Sequence, residues 1–191
     1  MDEILLQGCR AGEPHAIETL VRQYQGVVYR VCLSILNDPA DAEDATQETF
    51  IAAIKSLAGF RGDSAFRTWL YAIAVNCCRR YLKRRNRSHA LQTSLKLVSP
   101  AFSDPSSDPE HTMIRTQTAD ALREAIAALD EDHRLPVILR YYHEVPVTEI
   151  AQILGINEGT VHSRLFNARE RMRGLITVRE TLFHDKRGAR R

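Results

Sequence analysis

Val147-Thr148-Glu149-Ile150-Ala151-Gln152-Ile153-Leu154-Gly155-Ile156-Asn157-Glu158-Gly159-Thr160-Val161 carries the sharpest local signal of this 191-residue chain. The apolar residues recur at helical spacing up to Leu154, where Gly155 can take the left-handed conformation that ends a helix. Asn157 can then cap a second helix. Ala151 is small, as a crossing of two helices at close range demands, and Ile150, Leu154, Ile156, Val161 and Leu165 supply an apolar wedge between them. The stretch reads as a helix-turn-helix.

Its second helix divides into faces. With Val161, Leu165, Ala168 and Met172 inward, it presents His162, Ser163, Phe166 and Asn167, polar or flat groups suited to base edges in a major groove. Arg164, Arg169, Arg171 and Arg173 flank that face and suit phosphates. A helical hairpin with an arginine-rich surface is the plainer reading, and His162 is either a base contact or a bystander.

Upstream, the pattern stays helical. Ile17, Leu20, Val21, Tyr24, Val27, Val28, Val31 and Ile35 recur every three or four residues. Asn37-Asp38-Pro39 breaks that helix and opens another over Ala40 to Leu57. Gly59 and Gly62 mark a turn, after which Asp63 or Ser64 can cap a long helix with Phe66, Trp69, Leu70, Ile73, Cys77 and Tyr81 on one face. Ser99 to Pro109, rich in Pro, Ser and Asp, reads as a linker. Helices resume at Thr112, again over Arg134 to Tyr142, and after Pro146. The expected fold is all-α: two small helical domains joined by a flexible linker. Domain boundaries are expected at 1–90, 91–111 (linker), 112–178 and 179–191 (basic tail).

A net charge of +2 conceals an alternation: −5 over residues 1–60, +7 over 61–90, −4 over 91–135 and +4 over 136–191. Two basic blocks separated by an acidic one point to two contacts with a polyanion and an acidic surface for something else. Arg79-Arg80-Tyr81-Leu82-Lys83-Arg84-Arg85-Asn86-Arg87 continues the helix that bears Phe66, Trp69 and Tyr71. Basic groups beside aromatics suit single-stranded nucleic acid, although Trp69 also borders the core stripe. Asp41, Glu43, Asp44, Gln47 and Glu48 crowd one short helix, either as a solvated face or as a docking surface. Cys9, Cys32, Cys77 and Cys78 lack metal-ligand spacing and read as buried apolar groups. Neither a cofactor, a metal nor a catalytic residue is expected. No apolar run nears the roughly 20 residues a membrane span needs, and Met1-Asp2-Glu3-Ile4 lacks the basic start of a secretory signal; the expected location is cytoplasmic.

Three runs together resemble a known family. Asp41-Ala42-Glu43-Asp44-Ala45-Thr46-Gln47-Glu48-Thr49-Phe50 looks like the polymerase-binding helix of sigma factors. Phe60-Arg61-Gly62-Asp63-Ser64-Ala65-Phe66-Arg67-Thr68-Trp69-Leu70-Tyr71-Ala72-Ile73-Ala74-Val75-Asn76 looks like their −10-reading segment. With the helix-turn-helix ending Thr160-Val161-His162-Ser163-Arg164-Leu165, they resemble the extracytoplasmic-function sigma factors over nearly the whole chain. The resemblance implies that Asp41, Glu43, Asp44, Gln47 and Glu48 dock on the clamp helices of the polymerase largest subunit, with a second contact at the flap. It assigns the −10 element to Phe60, Arg61, Ser64, Phe66, Tyr71, Asn76, Arg79, Arg80, Lys83 and Arg84, with Phe60 to Ser64 and Asn76 holding a flipped base. It assigns the −35 element to Thr160, His162, Ser163, Arg164, Phe166, Asn167, Arg169 and Arg171. Partners so implied are core RNA polymerase, promoter DNA and an anti-sigma factor, with no membrane. Ala72 stands where many relatives carry arginine, and Arg80 where many carry an acid. His162 and Asn167 stand where Lys or Arg is common, leaving the −35 preference open. Asp104, Asp108 and Glu110 of the linker either mimic nucleic-acid charge near the polymerase channel or belong to a mere tether.

Two other readings compete. A stand-alone helix-turn-helix regulator accounts for Val147 to Arg173 but leaves the acidic and the aromatic-basic helices without a purpose. An enzyme would need a phosphate loop, nucleophile elbow, ligand set or paired carboxylates, and the sequence offers none.

Overall fold

The computed structural model describes residues 3–92 and 122–188, with side chains described for 3–85 and 122–174. The linker, the acids Asp104, Asp108 and Glu110, the start of the helix expected at Thr112, and the last three residues lie outside that set. Among the described residues all regular structure is helical, as expected. They form two compact units: 3–92 with 138–158, and 122–137 with 159–188.

In the first unit, α1 (Glu3–Arg10) leads into α2 (Pro14–Leu36), α3 (Pro39–Ser56), a 3-10 turn (Leu57–Gly59) and α4 (Phe66–Gln92). Gly8 lets α1 lie against α2, because a Cβ there would stand 2.9 Å from the Ala16 Cβ. The Asn37-Asp38-Pro39 break forms as its chemistry dictates. Asn37 takes the left-handed cap of α2 (φ 52°), and the Asp38 carboxylate accepts the Asp41 amide at 2.9 Å. Pro39 opens α3, where its missing N–H costs nothing. The core joins α2, α3 and α4 through Leu20, Val28, Val31, Leu36, Phe50, Leu70 and Val75, all buried. Each such side chain contributes about 1.5–3 kcal/mol over exposure. Ala42 and Ala45, fully buried, let α3 sit close. Cys9, Cys32, Cys77 and Cys78 are buried and free. A hydrogen bond with Cys32, reinforced by burial, pushes the Cys78 thiol well above its ordinary range.

The start of α4 differs from the expected cap. The helix opens at Phe66, and the Ala65 carbonyl accepts the Trp69 amide. Asp63 instead pairs with Arg61 at 3.5 Å, and the Ser64 hydroxyl turns to the Ala65 carbonyl at 3.4 Å. Residues Ile138–Tyr142, a wide-wound π turn, and α7 (Val147–Leu154) pack on α2 and α4. Thr68, buried, donates to Glu149 Oε2 at 2.6 Å, and Ser34 Oγ meets His143 Nε2 at 2.8 Å. Since the Ser34 proton goes to the Val31 carbonyl, the His143 Nε2–H is the donor in that contact. Desolvation, aided by Arg30, lowers the His143 pKa.

The second unit holds α5 (122–127), α6 (Glu131–Val137) and α8 (Glu158–Gly188). Ala125, Ile126, Leu129, Leu135, Val137, Val161, Leu165 and Ala168 are among its buried apolar residues. In chain order α7 ends on Gly155 in the left-handed conformation (φ 67°), and α8 begins three residues later, directly after Asn157.

Candidate nucleic-acid interface

The acidic helix sorts its side chains by spacing. Ala42, Ala45 and Thr49 face inward, which turns Glu43, Asp44 and Gln47 to solvent and leaves Asp41 and Glu48 half-buried. Glu48 is engaged by the next helix: Arg80 Nη2 donates to Oε2 at 3.1 Å and the Tyr81 hydroxyl to Oε1 at 3.0 Å. Burial first, and then this carboxylate, push the Tyr81 phenol up to about 12. Ile51, one turn beyond Gln47, is an apolar residue 54% exposed on the polar side of α3. The sequence reading missed it, although its register among polar neighbours was the available signal.

On α4 the charged tract forms one accessible strip. Asn76, Arg80, Lys83 and Arg84 are exposed and Arg79 is half-buried. The Arg84 guanidinium lies 5.7 Å over the Tyr81 ring. The preceding loop exposes Arg61 and half-buries Ser64, with Gly62 at φ 80° making the bend. Arg10 anchors the loop by donating to the Phe60 carbonyl at 2.7 Å. Phe60, Phe66 and Tyr71, by contrast, are packed inside, at 8%, 5% and 3% exposure. Phe60 and Phe66 join Trp69 and Tyr24 in a ring cluster with centroids 5.1–5.4 Å apart. Tyr71 meets His143 edge-on at 6.2 Å, and burial raises its phenol pKa. No flat face of these three is open to an unstacked base in this conformation.

On α8, burial of Val161, Leu165 and Ala168 projects His162, Ser163, Phe166 and Asn167 outward, with Phe166 at 59% exposure. Arg169 and Arg171 are exposed on the flanks, whereas Thr160 and Arg164 are half-buried. The Ser163 hydroxyl donates to the Thr160 carbonyl at 3.1 Å. Two arginines meet acids near α6: Arg164 pairs with Asp132 at 3.1 Å and Arg171 with Asp130 at 2.5 Å. A hydrogen bond from His133, then that from Arg171, hold the Asp130 carboxyl down at about 2 despite its partial desolvation. Among the described residues no cluster of His, Cys, Asp and Glu could hold a metal ion. No described helix is long and apolar enough to cross a membrane.

An acidic helix, a basic strip beside it and a separate basic helix after a tight turn match two family models. Residues 20–88 match sigma-70 region 2, and residues 119–172 match sigma-70 region 4. The chain is an extracytoplasmic-function sigma factor of the sigma-70 family. The RNA polymerase sigma-H factor of Pseudomonas aeruginosa is 34% identical, over 88% of this chain and 90% of its own. The ECF RNA polymerase sigma-E factor of Escherichia coli K12 is 35% identical over 88% and 91%. In fold, the chain is similar to CnrH, solved in complex with the cytosolic domain of CnrY. That match has a TM-score of 0.64 and 23% identity, and covers 93% of this chain and 97% of the other. Sigma factor RpoE of Bartonella quintana, solved with the anti-sigma factor NepR, gives 0.63 at 23% identity, over 84% and 96%. As a sigma factor, the chain is a transcription-initiation factor that supplies promoter choice to RNA polymerase. Region 2 takes in α2 from Leu20 onward together with α3 and the described side chains of α4, and region 4 takes in α7, the turn and α8 as far as Met172.

Proposed function

We propose that α3 docks on the clamp helices of the polymerase largest subunit, that the Arg61–Arg84 strip opens and holds the −10 element, and that α8 reads the −35 element. Residues 1–90 and 112–178 are then the two working domains, with the second also touching the flap. The observation that carries this division is the outward face of α3. Glu43, Asp44 and Gln47 stand on it with the exposed Ile51, an acidic surface with an apolar anchor, and the basic strip lies on the neighbouring helix. Asn76 offers a donor and an acceptor to a captured base, and Arg79, Lys83 and Arg84 can follow the phosphates. Phe60, Phe66 and Tyr71 shape that surface from within. On α8, Ser163, Asn167 and His162 are the base-reading candidates, Thr160 and Phe166 border them, and Arg164, Arg169 and Arg171 take phosphates.

The phosphodiester chemistry belongs to the polymerase, and the chain works in the cytoplasm where the polymerase is. An anti-sigma factor is a further partner, a reading supported by the sigma factor RpoE of Bartonella quintana, which was solved with the anti-sigma factor NepR. Charge reversal at Glu43 and Asp44 tests the docking assignment. Both are exposed, so reversal is expected to leave thermal stability within about 0.5 kcal/mol and to abolish co-purification with core polymerase. Glu48 is left intact because reversing it would set a lysine against Arg80. Normal assembly of the double variant would remove α3 from the interface.

A further inference from the structure

Within the second unit, two arginines assigned above to DNA phosphates already hold carboxylates. Arg171 Nη1 lies 2.5 Å from Asp130 Oδ2, across 41 residues of sequence, and Arg164 Nη2 lies 3.1 Å from Asp132 Oδ1. Asp130 is fixed by more than the arginine. Its Oδ1 accepts the His133 amide at 3.1 Å and meets His133 Nδ1 at 2.6 Å, which leaves Oδ2 turned to Arg171. Arg164 is the more enclosed of the two arginines, its side chain only 22% exposed. Arg173 likewise faces an acid, Glu170, at 2.7 Å, although that pair is local to α8.

Sequence-independent DNA binding is phosphate neutralisation, and its strength scales with the number of cationic groups that reach phosphates. A guanidinium already paired must give up its carboxylate first, and the acid left behind then repels the same phosphates. We propose that Asp130 and Asp132 act as built-in counterions of α8, restraining its binding to DNA of any sequence until polymerase and the base contacts favour the exchange. This proposal rests on α8 being the DNA-facing helix. The restraint is electrostatic and local, and it is independent of which bases Ser163 and Asn167 read.

Asp130→Asn and Asp132→Asn remove the charges while keeping the shape, and asparagine at 130 retains the capping acceptor for the His133 amide. Binding of the full chain, without polymerase, to a labelled duplex of scrambled sequence is followed by fluorescence anisotropy over a salt series. Surface and partly exposed pairs of this kind set an expected gain of about two- to fivefold for either substitution and roughly tenfold for both. The gain is expected to vanish when Asp130→Asn is combined with Arg171→Ala, and to fade as salt rises. Unchanged or weaker binding by the asparagine variants would overturn the proposal, the weaker case meaning that the acids orient the arginines for phosphate. Arg169→Ala separates the two levels of the argument. If it leaves duplex binding unaltered, the assignment of α8 to DNA fails; if it weakens binding while the asparagine variants add nothing, only the counterion role fails.

Discussion

Truncating Phe66 to alanine is expected to unfold region 2 in part, with loss of DNA-strand capture a consequence of that unfolding. Phe66 is 5% exposed and touches three rings, Tyr24 at 5.3 Å, Phe60 at 5.4 Å and Trp69 at 5.3 Å between centroids. Each edge or tilted ring pair contributes about 0.5–1.5 kcal/mol beyond the area it buries. Together with the cavity left behind, Phe66→Ala should cost about 3–5 kcal/mol. Phe66→Leu keeps most of the volume and loses chiefly the ring pairing, about 1–2 kcal/mol. Urea unfolding followed by fluorescence provides the measurement, since Trp69 is the only tryptophan and sits in the cluster. In parallel, binding of a fluorescent −10 non-template oligonucleotide to the chain with core polymerase is measured where Phe66→Leu remains folded. The account expects Phe66→Leu to lose stability and keep strand binding. A Phe66→Leu variant of undiminished stability that no longer captures the strand would refute the reasoning and make the ring a base platform.

Glu48→Gln should bring the Tyr81 phenol down from about 12 toward the ordinary value of about 10, stopping short because burial persists; spectrophotometric titration at high pH reads it. Because that folded-state value is raised, its contribution to stability is complete below about pH 10 and is lost as pH climbs through the folded value. Gly8→Ala should destabilise the α1–α2 contact by about 1–3 kcal/mol through overpacking against Ala16, visible as a lower urea midpoint. His143 has its pKa lowered in the fold, so stability is complete above about 6.5 and falls as pH drops through the folded value. His143→Gln should flatten that acid limb in a pH series of thermal melts.

Local chemistry was legible in the sequence wherever a single residue fixes the backbone. Asn37, Asp38 and Gly155 each take the cap or left-handed role that their chemistry suggests, and the buried faces of α2 and α8 follow the apolar pattern. Depth was harder to read. Phe66 falls on the core stripe and also beside a basic tract, and periodicity gives the direction of a side chain without the thickness of what covers it. The resemblance that assigns Phe60, Phe66 and Tyr71 to the −10 element likewise carries no depth, and all three are enclosed in this conformation. Helix α1 escaped notice because eight residues carry too little periodicity to stand out. The pairings Glu48–Arg80 and Asp130–Arg171, 32 and 41 residues apart, depend on which helices become neighbours, information that no local window holds.

The most direct test of the central claim is transcription in vitro by purified core polymerase with and without this chain, on a library of randomised promoters. Initiation is expected to require the chain and to enrich one −35/−10 pair at a fixed spacing, while the chain alone shows no tight sequence-specific binding. Tight specific binding by the chain alone, with no initiation when core is added, would contradict the account and favour a stand-alone regulator.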